Sequence, residues 1–198
     1  IRLTMATENN SVPAVRDAER TMIRHLSEHG RVARVQDLAA HIAGPDSTAE
    51  HRAHVGFLAA LAPGLTVVSE NDHYHHAVGI KEYGDEKKVK KSVDEIVKTI
   101  KEHGEPLTGS GLHAKLDNYE HPDHVRALAS VSKKVAHLKD NWGLTKWPTV
   151  NPKNIRDKIY VILAEHGKPM HFSEIAKAIK KSDFKRKDVT TQAIHNEL

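Results

Sequence analysis

Lys185, Arg186 and Lys187 stand in a row near the end of the chain, and Thr190, Thr191, Gln192, His195 and Asn196 follow them. These side chains suit nucleic-acid chemistry: Lys and Arg meet phosphate oxygens, while Thr, Gln, Asn and His offer donors and acceptors to base edges in the major groove. A helix running from about Asp188, with Ile194 and Leu198 turned to a core, puts Thr191, Gln192 and His195 on one outward face. Asn196 then lies beside them and the three cations stand at the helix entrance. This is the candidate DNA-reading surface. Lys133, Lys134 and Lys139, at the end of an earlier helical stretch, are further candidates for phosphate contact.

The remaining chemistry-bearing residues point away from catalysis. There is no Walker loop, no Gly-x-Ser-x-Gly and no His-Glu-x-x-His, so neither an enzyme activity nor a small-molecule substrate is expected. Among the 16 histidines, His51 with His54 and His121 with His124 have helical i, i+3 spacing, and His73, His75 and His76 fall on a strand-like stretch. None has a carboxylate or third ligand at a recognisable distance along the chain, so no metal and no cofactor is expected. Thr108-Gly109-Ser110-Gly111 reads as a helix start rather than a phosphate cradle. Trp142 and Trp147, flanked by Leu144 and Pro148, read as core plugs joining the second and third domains rather than as a platform for bases.

The elements that must carry these residues come from an internal repeat. Glu-His-Gly occurs at Glu28-His29-Gly30, Glu102-His103-Gly104 and Glu165-His166-Gly167, where composition alone predicts roughly 0.06 occurrences. Counting back from each Gly, positions eight, seven and four earlier are Met22, Ile23, Leu26; Ile96, Val97, Ile100; and Ile159, Tyr160, Leu163. Each set is the apolar stripe of a helix that the Gly ends in the left-handed conformation, with the preceding His at the negative end of the helix dipole. Counting forward, Leu38 and Ile42, Leu112 and Leu116, and Ile175 and Ile179 mark the face of a second helix. It is reached through extended segments carrying Val32, Pro106-Leu107 and Pro169-Met170. A third helix follows in each copy, at about Ala49 to Leu61, Pro122 to Leu138 and Asp188 onward.

After the first of these, Leu65 to Val68 and His73 to His76 read as a hairpin around a Ser-Glu-Asn-Asp turn. Helix, short strand, helix, helix, hairpin is the winged helix order. In the second copy Asn141 to Val150 stands where the wing belongs. The expected fold is mainly α, a tandem array of three winged helix (helix-turn-helix) domains with short β wings. The domains run over 14–79, 86–150 and 151–198, the last with its wing truncated, after a disordered or linker stretch at 1–13. Gly79, Gly84 and the charged run Asp85 to Lys91 mark the first boundary; Pro148 to Pro152 mark the second, with Asn151 as cap and Pro152 as first helical residue. Domains of this size are near the lower limit for one core, so neighbours are expected to pack together.

Composition agrees with a nucleic-acid partner only toward the end of the chain. The 198 residues carry a formal net charge of +4, and none is Cys, which removes disulfides and thiolate zinc clusters and fits a reducing compartment. No apolar stretch approaches the roughly 18 residues that cross a bilayer. Residues 1–79 hold seven Arg, no Lys and nine acids; residues 151–198 hold ten basic and six acidic residues. The first third helix, Glu50 to Leu58, is poor in cations, so the first domain reads as a protein-docking unit. With Ile1 at the start, Met5 as a candidate initiator and Leu198 inside an apolar pattern, the chain reads as a fragment.

Residues 141–198 carry a more specific likeness. Asn141-Trp142-Gly143-Leu144-Thr145-Lys146-Trp147-Pro148, Asn151-Pro152, Ile155-Arg156-Asp157-Lys158, His166-Gly167-Lys168-Pro169-Met170-His171-Phe172-Ser173-Glu174-Ile175-Ala176 and His195-Asn196-Glu197-Leu198 resemble the HARE-type helix-turn-helix domain. The version in question lies at the C-terminal end of sigma-factor-like bacterial proteins. The resemblance implies a winged helix of the transcription machinery that contacts promoter DNA or, like the similar domain of the RNA polymerase delta subunit, docks on polymerase. The expected function is therefore a non-enzymatic, sigma-factor-like DNA-binding transcription factor, cytoplasmic and nucleoid-associated. Its expected partners are double-stranded DNA and RNA polymerase, and the alternative is a scaffold of the transcription machinery that barely touches DNA.

Overall fold

The structure, a computed structural model, describes residues 13–198. The linker expected over 1–13 lies outside the described residues except for Pro13, which opens the first helix. Helix predominates, and the strands form two small antiparallel sheets. The first set of elements is α1 (Pro13–Glu28), β1 (Val32–Arg34), α2 (Val35–Ala43), α3 (Ala49–Leu61), β2 (Leu65–Val68) and β3 (Ala77–Ile80), closed by a 3-10 turn over Lys81–Tyr83. The order returns as α4 (Glu86–His103), β4 (Leu107–Thr108), α5 (Gly109–His113), α6 (Pro122–Val131), β5 (Val135–Leu138) and β6 (Asn141–Leu144). A third set comprises α7 (Ile155–His166), α8 (Phe172–Lys181) and α9 (Thr191–His195), and no strand accompanies it among the described residues. In both sheets the last strand is central, β1-β3-β2 and β4-β6-β5, with Val32 opposite Gly79 and Leu107 opposite Trp142.

Local chemistry explains where the helices start and stop. Gly30, Gly104 and Gly167 all take the left-handed conformation, at φ 98°, 82° and 68°, the helix-ending geometry that a Cβ resists. Thr48 caps α3, its hydroxyl accepting from the His51 N–H while the His51 ring accepts from the Thr48 N–H. The cap of α7 is Asn154 rather than Asn151: its side-chain carbonyl accepts from the Asp157 N–H at 2.7 Å, and Asn151 donates instead to the Thr145 carbonyl.

Contacts gather the residues into two compact units, one running to Thr99 and including Gly109–Lys133, the other formed by Ile100–Thr108 and Lys134–Leu198. The core of the first unit holds Met22, Leu26, Leu38, Ala39, Val55, Leu65 and Val78. The core of the second holds Ile159, Ile162, Ile175, Ile179, Phe184, Val189 and Ile194, with Leu138 of β5. Full burial of each large aliphatic side chain contributes about 1.5–3 kcal/mol. Two residues of the expected stripes depart from them: Ile42, in the final turn of α2, is 45% exposed and Tyr160 is 59% exposed.

Within the first unit α6 lies against β1. Gly30 permits that approach, because a Cβ there would overlap the Asp123 carbonyl oxygen. The hairpin differs from expectation. Asn71 accepts from the N–H groups of His73 and Tyr74 and bends the chain, so the second strand begins at Ala77. The main chain of His73 to His75 pairs instead with the end of α6: His75 N–H donates to the Val131 carbonyl at 2.8 Å and Lys133 N–H to the His73 carbonyl at 2.9 Å. That pairing stops α6 at Val131, and Val135–Leu138 become a strand rather than the end of a helix reaching Leu138.

Candidate nucleic-acid interface

The second unit carries 14 Lys and Arg against 9 Asp and Glu, a net of +5, while the first has 16 against 17. The excess positive charge therefore lies in the unit that contains α9. There Phe184 and Val189 are buried at the two ends of a loop, and the side chains between them point to solvent. Lys185, Arg186, Lys187, Thr190, Thr191, Gln192, His195 and Asn196 are all exposed, above a fully buried Ile194. None of the three cations forms an ion pair with a described residue. Gln192 donates to the Asn196 side-chain carbonyl at 3.0 Å, and Phe172 packs edge-on to His195 with ring centroids 5.4 Å apart. The helix is shorter than expected, because Thr190 caps it by accepting from the Ala193 N–H. Leu198 follows its end and is 67% exposed rather than in the core.

A buried lysine organises this loop. Lys158, 5% exposed on α7, donates from Nζ to the Arg186 carbonyl at 2.7 Å. A buried ammonium needs an acceptor, and the Arg186 main chain supplies one by turning left-handed, at φ 57°. Sequence reasoning missed the role of Lys158, whose only signal is a cation set beside Ile155, Ile159 and Ile162 on an otherwise apolar stripe.

The other candidates have different surroundings. Lys133 is half-buried and its Nζ lies 2.8 Å from a Glu70 carboxylate oxygen, a hydrogen bond that holds the Glu70 carboxyl below its usual range. Lys134 is exposed, and Lys139 pairs with Glu165 at 2.9 Å. From His124 to Lys133 no residue is fully exposed, so the third helix of the second set has no open face there. On α3 the outward stripe is Glu50, Ala53, His54, Phe57 and Ala60, with Phe57 57% exposed. That face mixes Ala53, Phe57 and Ala60 with Glu50 and His54, and it lacks Lys and Arg.

The histidines make caps and stacks. His51 caps α3, and His121 caps α6 by accepting from the Asp123 N–H. His25 lies between His41 and His29, with ring centroids at 3.8 and 4.2 Å, a trio that the i, i+4 spacing of His25 and His29 foreshadows. Burial, followed by the neighbouring His41 and His29, lowers the His25 pKa. Burial and the Arg31 guanidinium push His124 down to about 4. No three His, Asp or Glu side chains are arranged to hold a metal ion among the described residues. Trp142 is buried and stacks on His137 at 4.5 Å, and Trp147 lies half-buried over Gly143. Comparison with family models, curated proteins and solved structures gives no match.

Proposed function

We propose that the chain is a non-enzymatic DNA-binding transcription protein built as three winged helix domains, 14–79, 86–150 and 151–198. In this reading the last, HARE-type domain contacts promoter DNA and the remainder docks on RNA polymerase or another protein. The observation that carries it is the open face of Thr190 to Asn196 beside three cations without ion-pair partners among the described residues, in the unit with the surplus of positive charge. The recurring order of helix, strand, helix, helix and hairpin, with the last strand central in each sheet, supports the winged helix part. The likeness of residues 141–198 supports the family. No described helix is long and apolar enough to cross a membrane; the proposed location is the cytoplasm, at the nucleoid. A gel-shift titration with duplex DNA tests the reading. Binding should weaken steeply with salt and fall when Lys185, Arg186 and Lys187 become Ala; absent or salt-insensitive binding rejects it.

A second reading is favoured by the covered α6 and the exposed Phe57: a scaffold that meets polymerase or another protein through α3 and barely touches DNA. Recovery of polymerase from extract in a pull-down insensitive to nuclease distinguishes it.

A further inference from the structure

We infer that the outer face of α8 is a second phosphate-binding surface, on which Lys177, Lys180 and Lys181 grip the sugar-phosphate backbone of the same duplex that meets the basic loop. The inference rests on the DNA reading proposed above and adds where the duplex lies: along the C-terminal half of α8, and not on α9 and its entrance alone.

Spacing and burial put the three lysines on one stripe. Helix α8 buries Ile175, Ala176 and Ile179, and the i, i+3 and i+4 positions Lys177, Lys180 and Lys181 are exposed on its other side. Packing then brings the stripe to the loop. Phe172, which opens α8, meets His195 at the end of α9 with ring centroids 5.4 Å apart, so the two helices run in opposite directions. The loop with Lys185, Arg186 and Lys187 joins them at the end that carries the lysines. None of these six cations has an ion-pair partner among the described residues, and the two acids of the stretch, Asp183 and Asp188, are exposed and equally unpaired. Residues 177–192 carry a net of +4 out of the +5 of the whole second unit. Lys180 and Lys181 lie in the last turn of α8, where cations offset the negative end of the helix dipole. That role does not extend to Lys177, one turn earlier, or to the loop.

The make-up of the face selects the partner. Every exposed residue from Lys177 to Gln192 is Lys, Arg, Asp, Thr or Gln, while Ile179, Phe184 and Val189 are buried beneath them. The centre of a protein–protein interface is apolar and depleted in Lys, and a helix that lies on a membrane inserts apolar side chains among the lipids. This face offers neither. A phosphodiester backbone asks only for cations and hydrogen-bond donors.

The test titrates the full chain with a mixed-sequence duplex over a range of salt concentrations, with phosphatidylserine vesicles in parallel. Changing Lys177, Lys180 and Lys181 together to Gln should weaken duplex binding about tenfold or more at low salt and make the slope of log affinity against log salt shallower by roughly 2 to 3. Circular dichroism should stay that of the parent chain. Lys146, Lys153 and Lys168 are exposed cations of the same unit outside the stretch. Changing these to Gln removes the same charge and should move the slope by less than about 1. The inference is overturned by an α8 variant that keeps the parent slope, by an equal change in the control variant, which would mean that net charge alone acts, or by a chain that binds vesicles and not the duplex. A parent slope in the α8 variant, with a shallower one when Lys185, Arg186 and Lys187 become Ala, rejects this inference and keeps the DNA reading. A parent chain that binds no duplex rejects both.

Discussion

The Lys158 ammonium donates to the main-chain carbonyl of Arg186 at 2.7 Å, across 28 residues of sequence and from a side chain 5% exposed. The bond turns the centre of the basic loop inward by its backbone and leaves the Arg186 side chain outward. It couples the core of the second unit to the presentation of its cations. A left-handed non-glycine residue costs about 1–2 kcal/mol, so the loop keeps this shape only while the buried acceptor is needed.

Lys158→Met keeps the aliphatic volume and removes the donor. The Arg186 carbonyl is then left without its partner, a loss of about 1–3 kcal/mol. Urea denaturation should read that loss, and amide exchange should speed up across residues 185–189. Unchanged exchange in a folded variant would show that Lys158 does not hold the loop.

Replacing Lys185, Arg186 and Lys187 with Ala should affect DNA binding through salt dependence rather than through the fold, because all three are exposed and lack ion pairs with described residues. If all three meet phosphates, the slope of log affinity against log salt should become shallower by roughly 2 to 3. Thermal stability should stay within about 0.5 kcal/mol of the parent chain. An unchanged slope would move the phosphate contacts elsewhere.

The repeat was legible because its physics is local. Three left-handed glycines and the buried Leu26, Ile100, Leu38, Leu112 and Ile175 follow from spacing along single helices. What spacing cannot convey is which surface another segment will cover. Val125 and Leu128 of α6 read as one face of an amphipathic helix, but the coverage of α6 on its other sides depends on β1 and on the main chain of His73 to His75. The exposed face of α9 was readable from Ile194, whereas the inward turn at Arg186 depends on a lysine on α7, far back along the chain. The bend at Asn71, which moved the hairpin strand to Ala77, is turn chemistry hidden among several polar residues.

Acid should loosen the first unit before its carboxylates protonate. His25, His75 and His124 all have pKa values lowered chiefly by burial, His124 to about 4. A histidine kept neutral by the fold binds its proton more readily when unfolded, so stability is full above about pH 6.5 and declines as pH falls toward 4. The midpoint of thermal unfolding should therefore drop between pH 7 and 4, and His124→Gln should flatten the drop. A flat profile in the parent chain would show that these rings are solvated.

The three repeat glycines should separate into two classes when changed to Ala. Gly104 and Gly167 have positive φ, but a methyl group at either would meet nothing within 4 Å, so each change brings backbone strain alone, about 1–2 kcal/mol. Gly30 has the same conformational demand, and its Cβ would also run into the Asp123 carbonyl oxygen and fall 2.7 Å from the Ala127 Cβ. Both neighbours belong to α6, so relief requires the helix to leave β1. Gly30→Ala should therefore destabilise the first unit by about 3 kcal/mol or more and expose the amides of residues 124–131 to exchange. Equal losses at Gly30 and Gly104 would mean that α6 does not rest on this turn in solution.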